Sequence, residues 1–399
     1  MNIGKLLYSK KKSPVCRQSS FLGGLILIIQ DYQNYTKTVK FLDKVILVIK
    51  INGAYKELTL FSKLKFQYKR NIPVLNKVLK KLPSGIDDIY ICKHHIGEIY
   101  IFCQLLDEYI KVNKSKNPLL IIPEKRYITL YNMFCPNINK LFINLNPMKL
   151  DRQICNDVTN YKGHRFFVPI PDRFTHLRSL IFDNDSHIHF YDYMKEKMGI
   201  KEKIASFKPA SISDKTREKV YKHAKQIGLN LDKFVIFIPE AVTATELSET
   251  FWIKLGNYFA SQGYQIYVNT SAKKSTSSPE NLSEYSNWEK KIPNAILDFT
   301  SFDEIYYLAE LSKCVVALVN GLVVNFAQIN VPRYFIYSNQ TKTIGDRMDA
   351  DLMLNAYRLD YLPGCNTKNL YEINLNEKCE KDTIQYIIST YNNICKETF

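Results

Sequence analysis

The sequence predicts an α/β protein of two domains, and three observations carry that reading. Its 399 residues exceed the size at which a single hydrophobic core normally stops growing. Its apolar residues fall into short, strand-length runs that alternate with helical segments, the signature of βαβ units. With 46% hydrophobic and 13% aromatic residues it can bury a sizeable core, which excludes a disordered chain.

Residues 25–29 and 45–51 are β-branched, strand-length runs separated by a polar, aromatic segment, with a break at Gly23-Gly24. The basic stretch 60–82 reads as a helix or surface connection ending near Pro83-Ser84-Gly85. A regular pattern then begins: strand at 86–91, turn at 94–98, helix at 99–110, strand at 119–122 before Pro123, and a third strand at 140–143. Residues 158–209 are rich in aromatic, charged and histidine residues, and Pro169 and Pro171 limit regular structure there. This segment reads as a cleft wall or interdomain region, with a short helix at 191–198.

In the second half, residues 234–238 form a buried strand ending at Pro239, 249–260 an amphipathic helix closed by Gly263, and 264–268 the next strand. The Ser- and Asn-rich stretch 273–291 is a surface connection, followed by a strand at 295–297. Ser301 and Glu304 make a capping box for a helix to about residue 312. A strand at 315–319, a break at Asn320-Gly321, a helix at 324–329 and a strand at 334–337 complete the pattern. Parallel sheets place ligands outside the carboxyl ends of their strands, so Pro239-Glu240 and Asn320-Gly321 are the positions to examine.

The charge balance is 55 Lys plus Arg against 39 Asp plus Glu, a formal net of +16. It favours anionic partners, whether nucleotides, nucleic acid or a membrane surface, and lysine richness is also a genomic habit. The cations are dispersed and no nucleic-acid recognition module is present, so nucleic acid is disfavoured. Nine cysteines form no CxxC pair and no regular spacing, which suits a reduced compartment. The apolar run 21–29 is too short to span a bilayer, and the basic segment before it leads to no cleavage site. The expected location is cytoplasmic, with a peripheral contact at the inner face of an anionic membrane. There is no GxGxxG fingerprint, no GxxxxGK[ST] phosphate loop and no GxSxG elbow. His187 and His189, lacking convergent Cys or carboxylate partners, make a poor metal site.

Residues 95–99, His95-Ile96-Gly97-Glu98-Ile99, place a glycine and a carboxylate at the start of a helix. Residues 320–327 carry Asn320-Gly321-Leu322-Val323-Val324-Asn325-Phe326-Ala327, with Val331-Pro332 before the next strand. A third stretch runs from Phe237 through Pro239-Glu240-Ala241 to Thr243, Thr245 and Glu246. Together, over residues 86–350, these resemble the bacterial heptosyltransferase-like group of GT-B glycosyltransferases, which have two Rossmann-like domains facing a central cleft. The resemblance implies that residues 86–205 bind the acceptor and residues 206–350 the nucleotide-sugar. Residues 1–85 would be an N-terminal extension or an added part of domain one, and 351–399 a tail packing back across the domain junction.

The resemblance further implies that Glu98 is the catalytic base, with His94 and His95 as neighbouring candidates. A carboxylate at a helix start is also favoured by the helix dipole without any chemistry. Glu240, Thr243, Asn320, Gly321, Leu322, Val323 and Asn325 become donor-binding positions. Gly97, His164, Arg165, Arg173 and His176 become diphosphate or acceptor contacts. The family's Asp and His are replaced here by Val319 and Val324, so backbone amides at 321–323 would have to hold the diphosphate. The implied activity is sugar transfer, with inversion, from a nucleotide-sugar to a cell-surface glycan, lipid-linked saccharide or glycoprotein, as in polysaccharide or lipopolysaccharide assembly, with no metal or other cofactor. The alternative is a nonenzymatic nucleotide- or carbohydrate-binding protein that retains the fold.

Overall fold

The computed structural model describes residues 8–12, 16–21, 25–31, 36–52, 55–92, 95–146, 150, 154, 158–169, 188–241, 244–270, 288–339 and 349–397. They form three sheets.

The first is an antiparallel meander of seven strands in chain order: β1 Tyr8–Lys12, β2 Cys16–Phe21, β3 Ile26–Asp31, β4 Thr36–Phe41, β5 Lys44–Asn52, β6 Tyr55–Leu60 and β7 Leu64–Lys69. The stretch expected as a helix or connection at 60–82 is instead β7 followed by a short helix, α1 Pro73–Leu79, with Pro73 at its first position. The physical reason lies in the alternation Leu64, Phe66, Tyr68 against Lys65, Gln67, Lys69, which has the period of a strand.

The middle sheet has the order β10-β9-β8-β12-β11, from β8 Asp88–Ile91, β9 Pro118–Ile122, β10 Lys140–Phe142, β11 Val158–Tyr161 and β12 His164–Phe167. All neighbours are parallel except β11, which pairs antiparallel with β12. Helices α2 Ile96–Val112, α3 Ile128–Phe134 and α4 Phe190–Lys197 accompany it.

The C-terminal sheet is fully parallel, in the order β15-β14-β13-β16-β17-β18. Its strands are β13 Phe234–Ile238, β14 Gln265–Asn269, β15 Ala295–Asp298, β16 Val315–Leu318, β17 Arg333–Tyr337 and β18 Leu370–Asn374. Numbered from β13, this is the doubly wound 3-2-1-4-5-6 order, whose direction of winding reverses between β13 and β16. Its helices are α5 Asp214–Ile227, α6 Glu249–Ser261, α7 Trp288–Lys291, α8 Phe302–Leu311, α9 Ala350–Tyr357 and α10 Glu380–Glu397. The expected Ser301–Glu304 capping box starts α8. Residues 351–399, expected as a tail, supply β18 as the sixth strand and α10, whose Ile387 and Tyr391 are buried in the apolar layer shared with α6.

One apolar core runs through both α/β units without a break. Tyr100 packs edge-to-face on Phe134 at 4.8 Å and on Phe207 at 5.7 Å, and Phe134 meets Tyr306 at 6.2 Å. Tyr127 lies parallel to Phe302 at 6.2 Å. The α2–α3 layer of the middle sheet therefore packs directly on α8 of the C-terminal sheet, and this shared burial fixes where the connecting loops meet.

Candidate functional site

The loop after β8 leads through His95 into α2. His95 is the N-cap, in extended backbone and without a side-chain capping hydrogen bond, and Glu98 lies in the first turn. Gly97 is buried, and the reason is contact: a Cβ there would lie 3.4 Å from the Gly321 Cα and 3.4 Å from the Val324 Cγ2. In the opposite sense, a Cβ on Gly321 would fall 3.1 Å from the Gly97 backbone nitrogen. The start of α2 and the turn after β16 thus touch backbone to backbone, an approach that a Cβ on Gly321 would crowd.

The Asn320–Gly321 turn leaves the carboxyl end of β16 and enters a 3-10 turn at Val323–Phe326. The helix expected at 324–329 is this shorter turn. The Asn320 side chain donates to the Glu240 carbonyl oxygen at 2.8 Å, tying the ends of β16 and β13 together across the reversal point of the sheet. Its Oδ1 accepts from the amides of Leu322 (2.8 Å) and Val323 (3.3 Å). Two of the backbone donors expected to hold a diphosphate are therefore already capped, because a short asparagine side chain at a turn bonds the backbone two and three residues on. Asn325 donates to the carbonyls of Gly321 and Leu322, bracing the turn from behind. The Glu240 carboxylate accepts from the Thr270 hydroxyl at the end of β14.

Burial raises the Glu98 carboxyl above the ordinary glutamate value, and the neighbouring His95 offsets part of the rise. Tyr127, pushed up to about 12 by burial, feels the Glu98 charge as well. Over its ring, at 4.6 Å, lies the guanidinium of Arg126, which also pairs with Glu124 at 2.9 Å. Arg126 and Glu98 both act on Tyr127, and the sequence reading did not single Arg126 out. The available signal was its position in the loop following the carboxyl end of β9.

Arg165 and His164 stand elsewhere. Arg165 forms a two-pronged pair with Asp88, 2.6 Å from Nε and 2.5 Å from the terminal nitrogen, and the His164 ring bonds the Ile86 carbonyl at 2.8 Å. In the parallel β8–β12 register Arg165 opposes Asp88, the first residue of β8. Both residues thus lie at the amino edge of the sheet, opposite the edge that faces ligands, and their expected contact with diphosphate or acceptor is corrected to a structural one. His189 is the N-cap of α4 and accepts from the Tyr191 amide. His94, Arg173, His176, His187 and Thr243 lie outside the described residues. Among the described residues no group of three or more His, Cys, Asp or Glu is placed to hold a metal, and no helix is long and apolar enough to cross a membrane.

Arg333, the first residue of β17, is wholly buried. Its guanidinium donates to the carbonyls of Phe326, Ala327 and Asn366, anchoring the far end of the 3-10 turn.

No protein-family model matches the sequence, and no curated protein matches it. Solved structures do. The chain is similar to the ADP-heptose LPS heptosyltransferase II of E. coli, with 12% identity and a TM-score of 0.50, over 77% of this chain and 99% of that one. Matches also include a glycosyl transferase family 9 structure from Veillonella parvula (9% identity, TM-score 0.49, 78% and 98% covered) and the E. coli heptosyltransferase WaaC with ADP (12%, 0.45, 76% and 99%). The fold is GT-B, of the kind found in the bacterial heptosyltransferases.

Proposed function

We propose that the protein is a glycosyltransferase that moves a sugar from a nucleotide-activated donor to a saccharide, lipid-linked saccharide or glycoprotein acceptor. One observation supports this above the others. The helix start carrying Glu98 meets the Asn320–Gly321 turn at the reversal point of the C-terminal sheet, so the acceptor-side and donor-side motifs share one location.

In this reading Glu98 takes the proton from the acceptor hydroxyl as that oxygen attacks the anomeric carbon, and the bond to the nucleoside diphosphate breaks with inversion. A carboxylate whose proton affinity is raised by burial is a better base near neutrality than an exposed one. Glu240 and Asn320 contact the donor, and Arg126 offsets charge on the departing diphosphate. Residues 86–205 would serve the acceptor and 206–350 the donor, at the cytoplasmic side of the membrane.

The alternative is a nonenzymatic nucleotide- or carbohydrate-binding protein. It is favoured by Val319 and Val324 standing where the family carries polar residues, and by the capped amides of Leu322 and Val323. Calorimetric titration with a panel of nucleoside diphosphates and nucleotide-sugars tests both. Binding together with transfer to an acceptor supports the enzyme, binding without turnover supports the alternative, and no binding by any member of the panel rejects the enzyme and the nucleotide-binding form of the alternative.

A further inference from the structure

The meander β1–β7 has one end unlike the rest of the molecule. Because its strands alternate in direction, the β2–β3, β4–β5 and β6–β7 connections all lie at that end. They are laced together: the Leu42 amide donates to the Leu25 carbonyl and the Phe61 amide to the Ile46 carbonyl, each at 2.9 Å. The chain leaves the sheet for the α/β units after Lys69, which pairs with Tyr55 at the opposite end. The hairpin tips are therefore distal to the attachment by the length of β7, about 20 Å.

These tips carry large apolar side chains in solvent. Leu42 is 57% and Phe61 65% exposed, with Leu25 at 44% beside them. Leu42 and Phe61 also have left-handed backbone, with φ of 47° and 49°. Asparagine or glycine enters that region far more readily, so two bulky residues there are held against local preference, the kind of outlier that points to function. The flanks are basic. In residues 40–44 and 60–65, Lys40, Lys44, Lys63 and Lys65 face a single acid, Asp43.

We propose that this end of the sheet docks on an anionic lipid bilayer, with Leu42 and Phe61 entering the acyl boundary and the flanking lysines meeting the headgroups. Protruding apolar tips with a basic collar match such a surface in shape and in charge. A second copy of the chain seated on the same tips would set lysine against lysine, which disfavours self-association there.

The test is flotation of the full chain with vesicles of phosphatidylcholine alone and of phosphatidylcholine with phosphatidylglycerol. Binding to the anionic vesicles is expected, weakening as salt screens the lysines. The double variant Leu42→Asn, Phe61→Asn should bind about tenfold more weakly or worse while keeping its circular dichroism, because asparagine suits the left-handed backbone. A second pair, Lys44→Gln and Lys63→Gln, should lose the preference for anionic lipid while sparing the left-handed positions of the turns, and it decides the matter if the first pair misfolds. Failure of the native chain to float, or unchanged binding by the folded variants, overturns the proposal. So does a concentration-dependent doubling of mass in light scattering that the asparagine pair abolishes, since it would assign the tips to a partner copy.

Discussion

Gly97 and Gly321 meet backbone to backbone, so closely that a Cβ on Gly321 would fall 3.1 Å from the Gly97 nitrogen. Gly97 starts the first long helix of the middle sheet, and Gly321 follows a central strand of the C-terminal sheet. Their contact joins the two proposed halves of the site. The Gly321→Ala variant should lose about 1–3 kcal/mol, because the obstructing atom is backbone and the two units must move apart to admit a methyl group. Gly97→Ala, whose Cβ would meet its neighbours at 3.4 Å, should lose less. Urea midpoints for the two variants check the order, and the reverse order would contradict it.

Glu98 makes a prediction about pH. Its carboxyl holds a proton more tightly folded than unfolded, so between the ordinary glutamate value and its raised folded value the native state binds more protons. Stability contributed there falls as pH rises. Glu98→Gln should therefore be more stable than the native protein at pH 7, with the gap closing towards pH 4. If Glu98 is the base, the same variant should lose about 100-fold or more in transfer while still binding donor.

His189 titrates in the opposite sense. Burial lowers its pKa to about 4, with the Arg358 carbonyl, 3.0 Å from Nε2, partly opposing the shift. Below the ordinary value of 6.5 the unfolded chain takes up a proton that the native state refuses. Stability should therefore fall between pH 6.5 and 4, by at most about 3 kcal/mol. His189→Asn keeps a capping oxygen for the Tyr191 amide and should flatten this slope in urea titrations at several pH values.

Arg165 tests the reassignment from ligand contact to framework. Its partner Asp88 has a side chain only 4% exposed, so Arg165→Met leaves a buried carboxylate without its cation. A loss of about 2 kcal/mol is expected, reduced from the fully buried case because the arginine side chain is 41% exposed. Adding Asp88→Asn should restore part of it. Nucleotide binding by the folded Arg165→Met variant should match the native protein, and a selective loss of binding would return Arg165 to the site.

Much of the fold was legible because the signals are local. The run Phe234–Ile238 is apolar at every position and is buried at every position. Ser301 and Glu304 announced α8 through hydrogen bonds that span three residues. The misreading of β7 arose where a basic, exposed strand was judged by its charge and not by its alternation. In the candidate site, position at strand ends drew attention to Glu240 and Asn320, which one hydrogen bond joins. Arg165 and His164 were misassigned because a residue type does not reveal which edge of a sheet it occupies, and that depends on the β8–β12 pairing.

The sequence alone determined many of the strands and helices of the two α/β units, and that these units follow one another, because burial pattern and capping are written within a few residues. Only the tertiary structure decided that Gly97 rests on Gly321, that the Asn320 side chain reaches the Glu240 carbonyl, and that Arg165 is committed to Asp88. These relationships join residues far apart in the chain. The first is set by the shared apolar core between α2, α3 and α8, and the other two by the β13–β16 and β8–β12 pairings, none of which a local pattern encodes.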